Sequence, residues 1–324
     1  MQIKVYLYNK DGIDQELEFD KDIFEEIGDN KLIWVNVHER KKETLLHVLS
    51  VLNFKNAPVK NILSDFERPK LEKFENFYRF FVVSVNADEN GKIEKVPIDF
   101  IVTENIVVTV ADKEVDYLNE FRDLEKGETH VGALHTESFV ASLLDMHVVG
   151  YFRAVEILEK KVDKLDTRIL TRELSDDEFL NQIVELRREV SRLRRLLLPQ
   201  RDVFYALSRP DFQPIIGPVD RQHFQMLNDH YENAVDSVES SRDTVISLFD
   251  LYTTKSAHNM NNLMKRLTFV TLIVGGLGAI AGIWGMNFEV DYFKAAETGF
   301  WLTIAGMGTF IFATTILAKI KRWF

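Results

Sequence analysis

Gly285, Met286 and Asn287 stand between two long uncharged stretches near the C-terminus, and few other residues are placed so pointedly for chemistry. Leu267 to Trp284 contains no Asp, Glu, Lys or Arg, and neither does Thr298 to Ala318. Asn287 offers an amide oxygen, and Gly285 leaves its carbonyl unobstructed by a side chain. Both are neutral oxygen donors. The same pair also suits a helix end, where glycine caps and asparagine tolerates the left-handed region. Backwards from Gly285, at alternating intervals of three and four, stand Gly282, Gly278, Gly275, Thr271, Thr268 and Met264. They form a stripe of small or weakly polar groups on one helical face. Such a stripe serves close helix packing in lipid, or it leaves room for water beside exposed carbonyls. Glu289, Asp291 and Glu297 follow the tripeptide, with Lys294 among them. They either raise the local cation concentration electrostatically or form a solvated loop.

Other chemistries find little support. The 324 residues include no cysteine, which excludes disulfides, thiolate catalysis and cysteine zinc sites. No histidine pair has metalloprotease spacing, no glycine-rich phosphate loop occurs, and no nucleophile stands beside a base. An enzyme is not expected. The formal net charge of −11 argues against general nucleic-acid binding. The basic run Arg187, Arg188, Arg192, Arg194 and Arg195 is expected to pair with Glu173, Glu185 and Glu189.

The elements that hold these residues follow from the pattern of side chains. Ile3 to Tyr8, Leu32 to Val37, Tyr78 to Val85 and Pro97 to Val110 are rich in β-branched and aromatic residues and read as strands. Asn90-Gly91 and Glu104-Asn105 turn a three-stranded meander across 78 to 110. Lys41 to Leu52 has helical spacing. From about His135 the pattern is helical throughout. A long amphipathic helix leads to a capping box at Ser175-Asp-Asp-Glu178, and a second helix stops at Pro199. After Pro218 no proline precedes the end of the first uncharged stretch, and no glycine precedes Gly275. One helix from about Asp220 to Trp284 is therefore predicted, about 98 Å long at ~1.5 Å per residue. The expected divisions are an α/β domain over 1–130, a helical hairpin over 131–218 and a stalk over 219–266. Membrane spans over 267–284 and 298–318 flank a loop over 285–297, and a basic tail covers 319–324. Lys265 and Arg266 precede the first span, and Lys319, Lys321 and Arg322 follow the second. Both termini are thus expected in the cytoplasm and the loop outside. The N-terminus has no signal-peptide pattern.

Asn261-Asn-Leu-Met-Lys-Arg-Leu-Thr268, the first span, Ile283-Trp-Gly-Met-Asn-Phe-Glu289, the second span and the tail Lys319 to Arg322 closely resemble the CorA family of magnesium channels. Leu248-Phe-Asp-Leu-Tyr252 resembles that family's stalk segment. Glu67-Arg-Pro-Lys-Leu-Glu72 and Leu32-Ile-Trp-Val-Asn-Val37 resemble motifs of its soluble domain. The resemblance covers essentially the whole chain.

It implies a membrane protein with a cytosolic α/β domain and a long helical stalk continuous with the first of two C-terminal transmembrane helices. It also implies a homopentamer in the plasma or inner membrane. The first spans would line the pore with Asn261, Met264, Leu267, Thr268, Thr271, Gly275, Gly278 and Gly282. Gly285, Met286 and Asn287 would select hydrated Mg2+, and Glu289, Asp291 and Glu297 would surround the external mouth. Mg2+ keeps several of its waters, so neutral oxygens suit it better than a carboxylate cage. Co2+ or Ni2+ could share the path. Mg2+ bound between subunits would hold the funnel shut, with Asp88, Glu89, Asp229 and Asp250 as its ligands. No organic cofactor is implied. Relatives commonly carry a bulky apolar residue at Gly275 and proline at Gly276, so the closed gate is expected at Met264 and Leu267. A zinc transporter of the related ZntB type, and a membrane-anchored metal sensor that does not conduct, are the competing readings.

Overall fold

The computed structural model describes residues 3–9, 15–20, 31–54, 56–64, 67–87, 92–125, 136–171, 176–209, 221–286 and 296–321. Two units are distinguished, Met1–Leu248 and Phe249–Phe324.

The first unit is built on a mixed sheet. Its strands are β1 (Ile3–Asn9), β2 (Gln15–Leu17), β3 (Lys31–Val37), β4 (Lys70–Lys73), β5 (Tyr78–Ala87), β6 (Ile93–Val102) and β7 (Ile106–Ala111). Among the described residues their order is β2-β1-β3-β7-β6-β5-β4. Strands β5, β6 and β7 form the expected antiparallel meander. The β3–β7 pair is parallel, with Trp34 opposite Val107. Strand β3 is central and buried on both faces, which is why it reads as a nearly continuous apolar run. One face packs Ile33, Val35, Val37, Val108 and Val110 against helix α1 (Lys42–Val51) and the short helix α2 (Val59–Ile62). The other carries Trp34, whose ring meets Tyr6, Phe121 and Phe139. The indole donates to Thr109 Oγ1 at 2.9 Å, and Thr109 donates to Asn36 Oδ1 at 3.0 Å. A polar ladder thus satisfies the buried donors within the core.

The segment Glu67 to Glu72 acquires a structural role. Glu72 lies directly opposite Arg79 in the sheet. The fully buried Arg79 donates to Glu72 at 2.7 Å and to both carboxylate oxygens of Glu67, and it pairs with the equally buried Asp99. Arg40 reaches Asp99 at 2.5 Å. Burial alone would lower the Arg79 pKa, but Glu67 and Asp99 hold its charge and raise it instead. Burial pushes Asp99 up to about 6 against the pull of both guanidiniums, so it remains ionised at neutral pH. Removing one member would strand the other charges in the core, a loss of about 3–5 kcal/mol.

The helical layer consists of α3 (Asp116–Glu125), α4 (Thr136–Thr171), α5 (Asp176–Leu197), a 3-10 turn (Leu198–Gln200), α6 (Arg201–Ser208) and the start of α7 (Arg221–Trp284). Ser175 lies outside the described residues, so the expected capping box is not part of the description. Helix α5 ends just before Pro199, as expected, and α6 is an additional helix. The turn delivers Gln200 to the sheet. Beyond Phe81 strand β5 has no β4 partner, and Val83 faces Pro97 across β5–β6. Proline donates no ladder bond. Gln200 supplies a strand-like partner at the open edge. Its Oε1 accepts from Val83 N–H at 3.2 Å, and its Nε2 donates to Val83 O at 2.9 Å. The buried His147 and Tyr151 complete the cluster at 3.0 and 2.8 Å from Gln200.

Within this unit α7 is held on two sides. Towards α4, His223 meets Ser138 at 3.0 Å, His230 meets Asp145 at 2.6 Å, and Ser241 donates to Glu159 at 3.3 Å. Towards α5 and α6, Glu239 accepts from Arg194 at 2.6 Å, Glu232 accepts from Arg201, and Tyr231 donates to Leu197 O at 2.8 Å. The basic run on α5 therefore uses Arg194 against α7. Among the described residues it forms no ion pair with Glu185 or Glu189, which corrects that part of the expected local pairing, and Glu173 lies outside the described residues.

The second unit contains the rest of α7 and helix α8 (Ala296–Ile320). Each helix has a stretch long and apolar enough to cross a membrane. As the sequence predicts, α7 is unbroken from the stalk segment to Trp284. Hydroxyls of α8 are satisfied inside the helix, as lipid requires: Thr303, Thr309 and Thr315 each donate to the carbonyl four residues back at 2.8 Å.

Candidate functional site

The first span has two unlike faces. Phe269, Ile273, Gly276, Leu277 and Ile280 are partly covered. At Gly276 this is contact with α8, since an added Cβ would stand 2.4 Å from the Phe310 ring. On the opposite face Asn261, Met264, Leu267, Thr268, Thr271, Gly275, Gly278 and Gly282 are all exposed. A Cβ added at Gly275, Gly278 or Gly282 would meet nothing within 4 Å. Glycine disfavours a helix by about 1 kcal/mol relative to alanine. Packing within the chain accounts for Gly276 and leaves the other three glycines unexplained. Their open face is free to meet something outside the chain.

Thr268 adds to this face. Its hydroxyl donates to Met264 O at 2.8 Å. With its proton used inside the helix, the oxygen lone pairs remain as acceptors, the polarity a cation requires. Met264 and Leu267 are 54 % and 60 % exposed and form the bulky apolar part of the stripe.

Gly285 follows the last residue of α7. Its N–H bonds to Ala281 O at 3.0 Å and Gly282 O at 3.1 Å, and Met286 N–H bonds to Ile283 O at 3.3 Å. Gly285 is not in the left-handed region, and a Cβ there would make only ordinary contacts at 3.5 Å. Gly285 thus stands at the helix end, as its ordinary role requires, and the left-handed position expected for Asn287 lies outside the described residues. Asn287, Glu289 and Asp291 lie outside the described residues, as do Asp88 and Glu89. Glu297 is exposed in the first turn of α8.

Asp229 and Asp250 are both exposed on α7, three heptads apart. Carboxylates so far apart cannot share one ion within a chain. Between them, at the same heptad position, stand Asp236 and Asp243, also exposed. Sequence reasoning singled out only the outer pair, although the seven-residue repeat was present in the chain. Among the described residues no group of three or more His, Asp or Glu is arranged to hold a metal ion.

Residues 29–322 match the model of the CorA-like Mg2+ transporter protein family. The cobalt/magnesium transport protein CorA of Thermotoga maritima is 28% identical over 293 residues, covering 90% of this chain and 83% of that protein. A zinc transport protein ZntB of Yersinia pseudotuberculosis is 22% identical over 222 residues, covering 68% of this chain and 66% of that protein. Among solved structures, the complete CorA magnesium transporter of Methanocaldococcus jannaschii shares the fold, with a TM-score of 0.81 at 22% identity, 100% of this chain and 99% of that one covered. Members of the matched family are membrane transporters of divalent cations, and this chain belongs to the CorA-like Mg2+ transporter family.

Proposed function

We propose that the protein is a homopentameric channel for Mg2+ uptake, with both termini in the cytoplasm of a cell whose plasma or inner membrane it spans. The pore is lined by the open stripe of α7, from Asn261 through Met264, Leu267, Thr268, Thr271, Gly275 and Gly278 to Gly282. Gly285, Met286 and Asn287 select the hydrated ion at the outer end, beneath a mouth carrying Glu289, Asp291 and Glu297. The observation that carries the reading is the division of the first span. Its small and oxygen-bearing residues share the open face, while Gly276 packs against Phe310 on the covered face. A pore for an ion that keeps its waters needs width and neutral acceptors, and such a stripe supplies both.

Cytosolic Mg2+ also regulates the channel in this reading. Asp229 and Asp250 of the stalk, with Asp88 and Glu89 of an adjacent subunit, are the proposed ligands. Hard oxygen donors of this kind suit Mg2+. Met286 in the middle of the filter favours magnesium over the zinc branch of the family. The test is flux in proteoliposomes with Mg2+, Co2+ and Zn2+ in competition, using wild type and Asn287→Ala. Mg2+ flux that collapses in the variant, with the oligomer intact, is the expected result. Zn2+ preference would favour the ZntB reading, and unchanged Mg2+ flux would remove Asn287 from the filter.

A further inference from the structure

Gly276 is the one glycine of the first span pressed by a side chain of the second. A Cβ there would lie 2.4 Å from two atoms of the Phe310 ring, whereas Gly275, Gly278 and Gly282 are open. Phe310 thus sits in a notch that exists only because position 276 has no side chain. The notch adjoins Gly275, and a pair of glycines is one of the places where a helix kinks. Phe310 is a partly buried residue of α8, and its neighbour Ile311 is 38 % exposed. The Phe310 ring is thus not enclosed in a fully buried core. Helices that carry two arrangements switch between discrete packings rather than deforming smoothly.

We infer that Phe310 is a positioning residue for conduction: seated against Gly276, it holds the pore helix straight at its glycine pair, and its withdrawal lets the helix bend and the path widen. The inference rests on the pore-lining reading above. It assigns the second span a part in gating that requires no contact with the ion. The ring acts through the backbone of α7, so it changes how often the path is open and leaves the choice of ion to Asn287.

The experiment uses the full-length protein in proteoliposomes, with Mg2+ flux measured for Phe310→Ala, Gly276→Ala and the double variant. Asn287→Ala serves as the control for the pore. Removing the ring unseats Phe310 and leaves the glycine pair intact, so Phe310→Ala should raise basal flux by about fivefold, whereas Gly276→Ala unseats the ring but stiffens the bend point and should raise it less. The double variant should go no further than Phe310→Ala alone, because both changes act on the same contact. The Mg2+ to Co2+ ratio and the oligomer size should stay as in wild type, readouts that a purely structural defect would move. Wild-type flux in Phe310→Ala, or effects that add in the double variant, would overturn the inference while Asn287→Ala still abolishes flux. If Asn287→Ala also conducts normally, Asn287 is not part of the filter, a failure of the function reading that is distinct from wild-type flux in Phe310→Ala.

Discussion

At the scale of single residues, the soluble unit depends on polar groups placed where water cannot reach them. Gln200 is fully buried and serves Val83, His147 and Tyr151 together. Gln200→Leu keeps the volume and removes the bonds, stranding Val83 N–H and a ring nitrogen of His147. Urea unfolding should show a loss of about 2–4 kcal/mol, and a loss below half a kcal/mol would mean that the edge of β5 is satisfied in another way. His147 gives a dependence on pH. Burial pushes its imidazole down to about 4, against the hydrogen bond its Nε2 makes to Gln200 Oε1, which pulls it up. The unfolded chain takes up this proton near the ordinary histidine value and the folded chain does not. The stabilising contribution is therefore complete above about pH 6.5 and is lost as pH falls through 4. It amounts to about 3 kcal/mol. The His147→Phe variant should lose less stability than wild type between pH 7 and pH 4, followed by tryptophan fluorescence. An identical pH slope in the two proteins would contradict the assignment. None of this was legible beforehand. Glu67, Lys70 and Glu72 were recognisable only as a motif, because their partners Arg79 and Asp99 come from other strands. Gln200 looked like any polar residue after a proline.

At the scale of elements, the sequence was most legible where one helix or one hairpin decides the pattern. The unbroken α7 followed from the lack of proline and glycine before Gly275, and the meander β5–β6–β7 followed from its β-branched and aromatic residues and the turn signal Asn90-Gly91. Strands β2 and β4 are three and four residues long and carry too little periodicity to stand out. The parallel pairing of β3 with β7 joins segments about seventy residues apart, which no local pattern encodes. The division of the first span into covered and open faces needed the contact with α8 to become visible. Within the stripe of Asn261 to Gly282 the bulky apolar residues are Met264 and Leu267, next to Lys265 and Arg266, while the middle of the stripe is glycine. Apolar rings close a pore by making water unfavourable. Met264→Ser with Leu267→Ser should therefore raise basal Mg2+ conductance without changing the order of ion preference. A closed-state structure narrowest at Gly275 or Gly278 would place the gate elsewhere.

At the scale of the whole molecule, the chain leaves most of its apolar spans uncovered, and in the proposed assembly lipid and other copies would cover them. Along the stalk, α4, α5 and α6 hold two sides of α7 within the first unit, and Asp229, Asp236 and Asp243 face outwards. Divalent ions between copies would neutralise this acidic face. Millimolar Mg2+ should accordingly slow proteolysis of the full-length protein. Asp88, Glu89, Asp229 and Asp250 replaced together by Asn should abolish both that protection and the inhibition of flux by internal Mg2+. If inhibition survives, sensing lies in other residues, with Asp236 and Asp243 the next to examine. The central claim is that the open stripe of α7 lines the ion path. The chain contains no cysteine, so single cysteines can be introduced without background and probed with a water-soluble thiol reagent during Mg2+ flux. Cysteines at Thr271, Gly275 and Gly278 should be modified and should block flux, while cysteines at Ile273, Leu277 and Ile280 should remain unreactive and conduct. Equal reactivity on the two faces, or block only from the face turned to α8, would contradict the account.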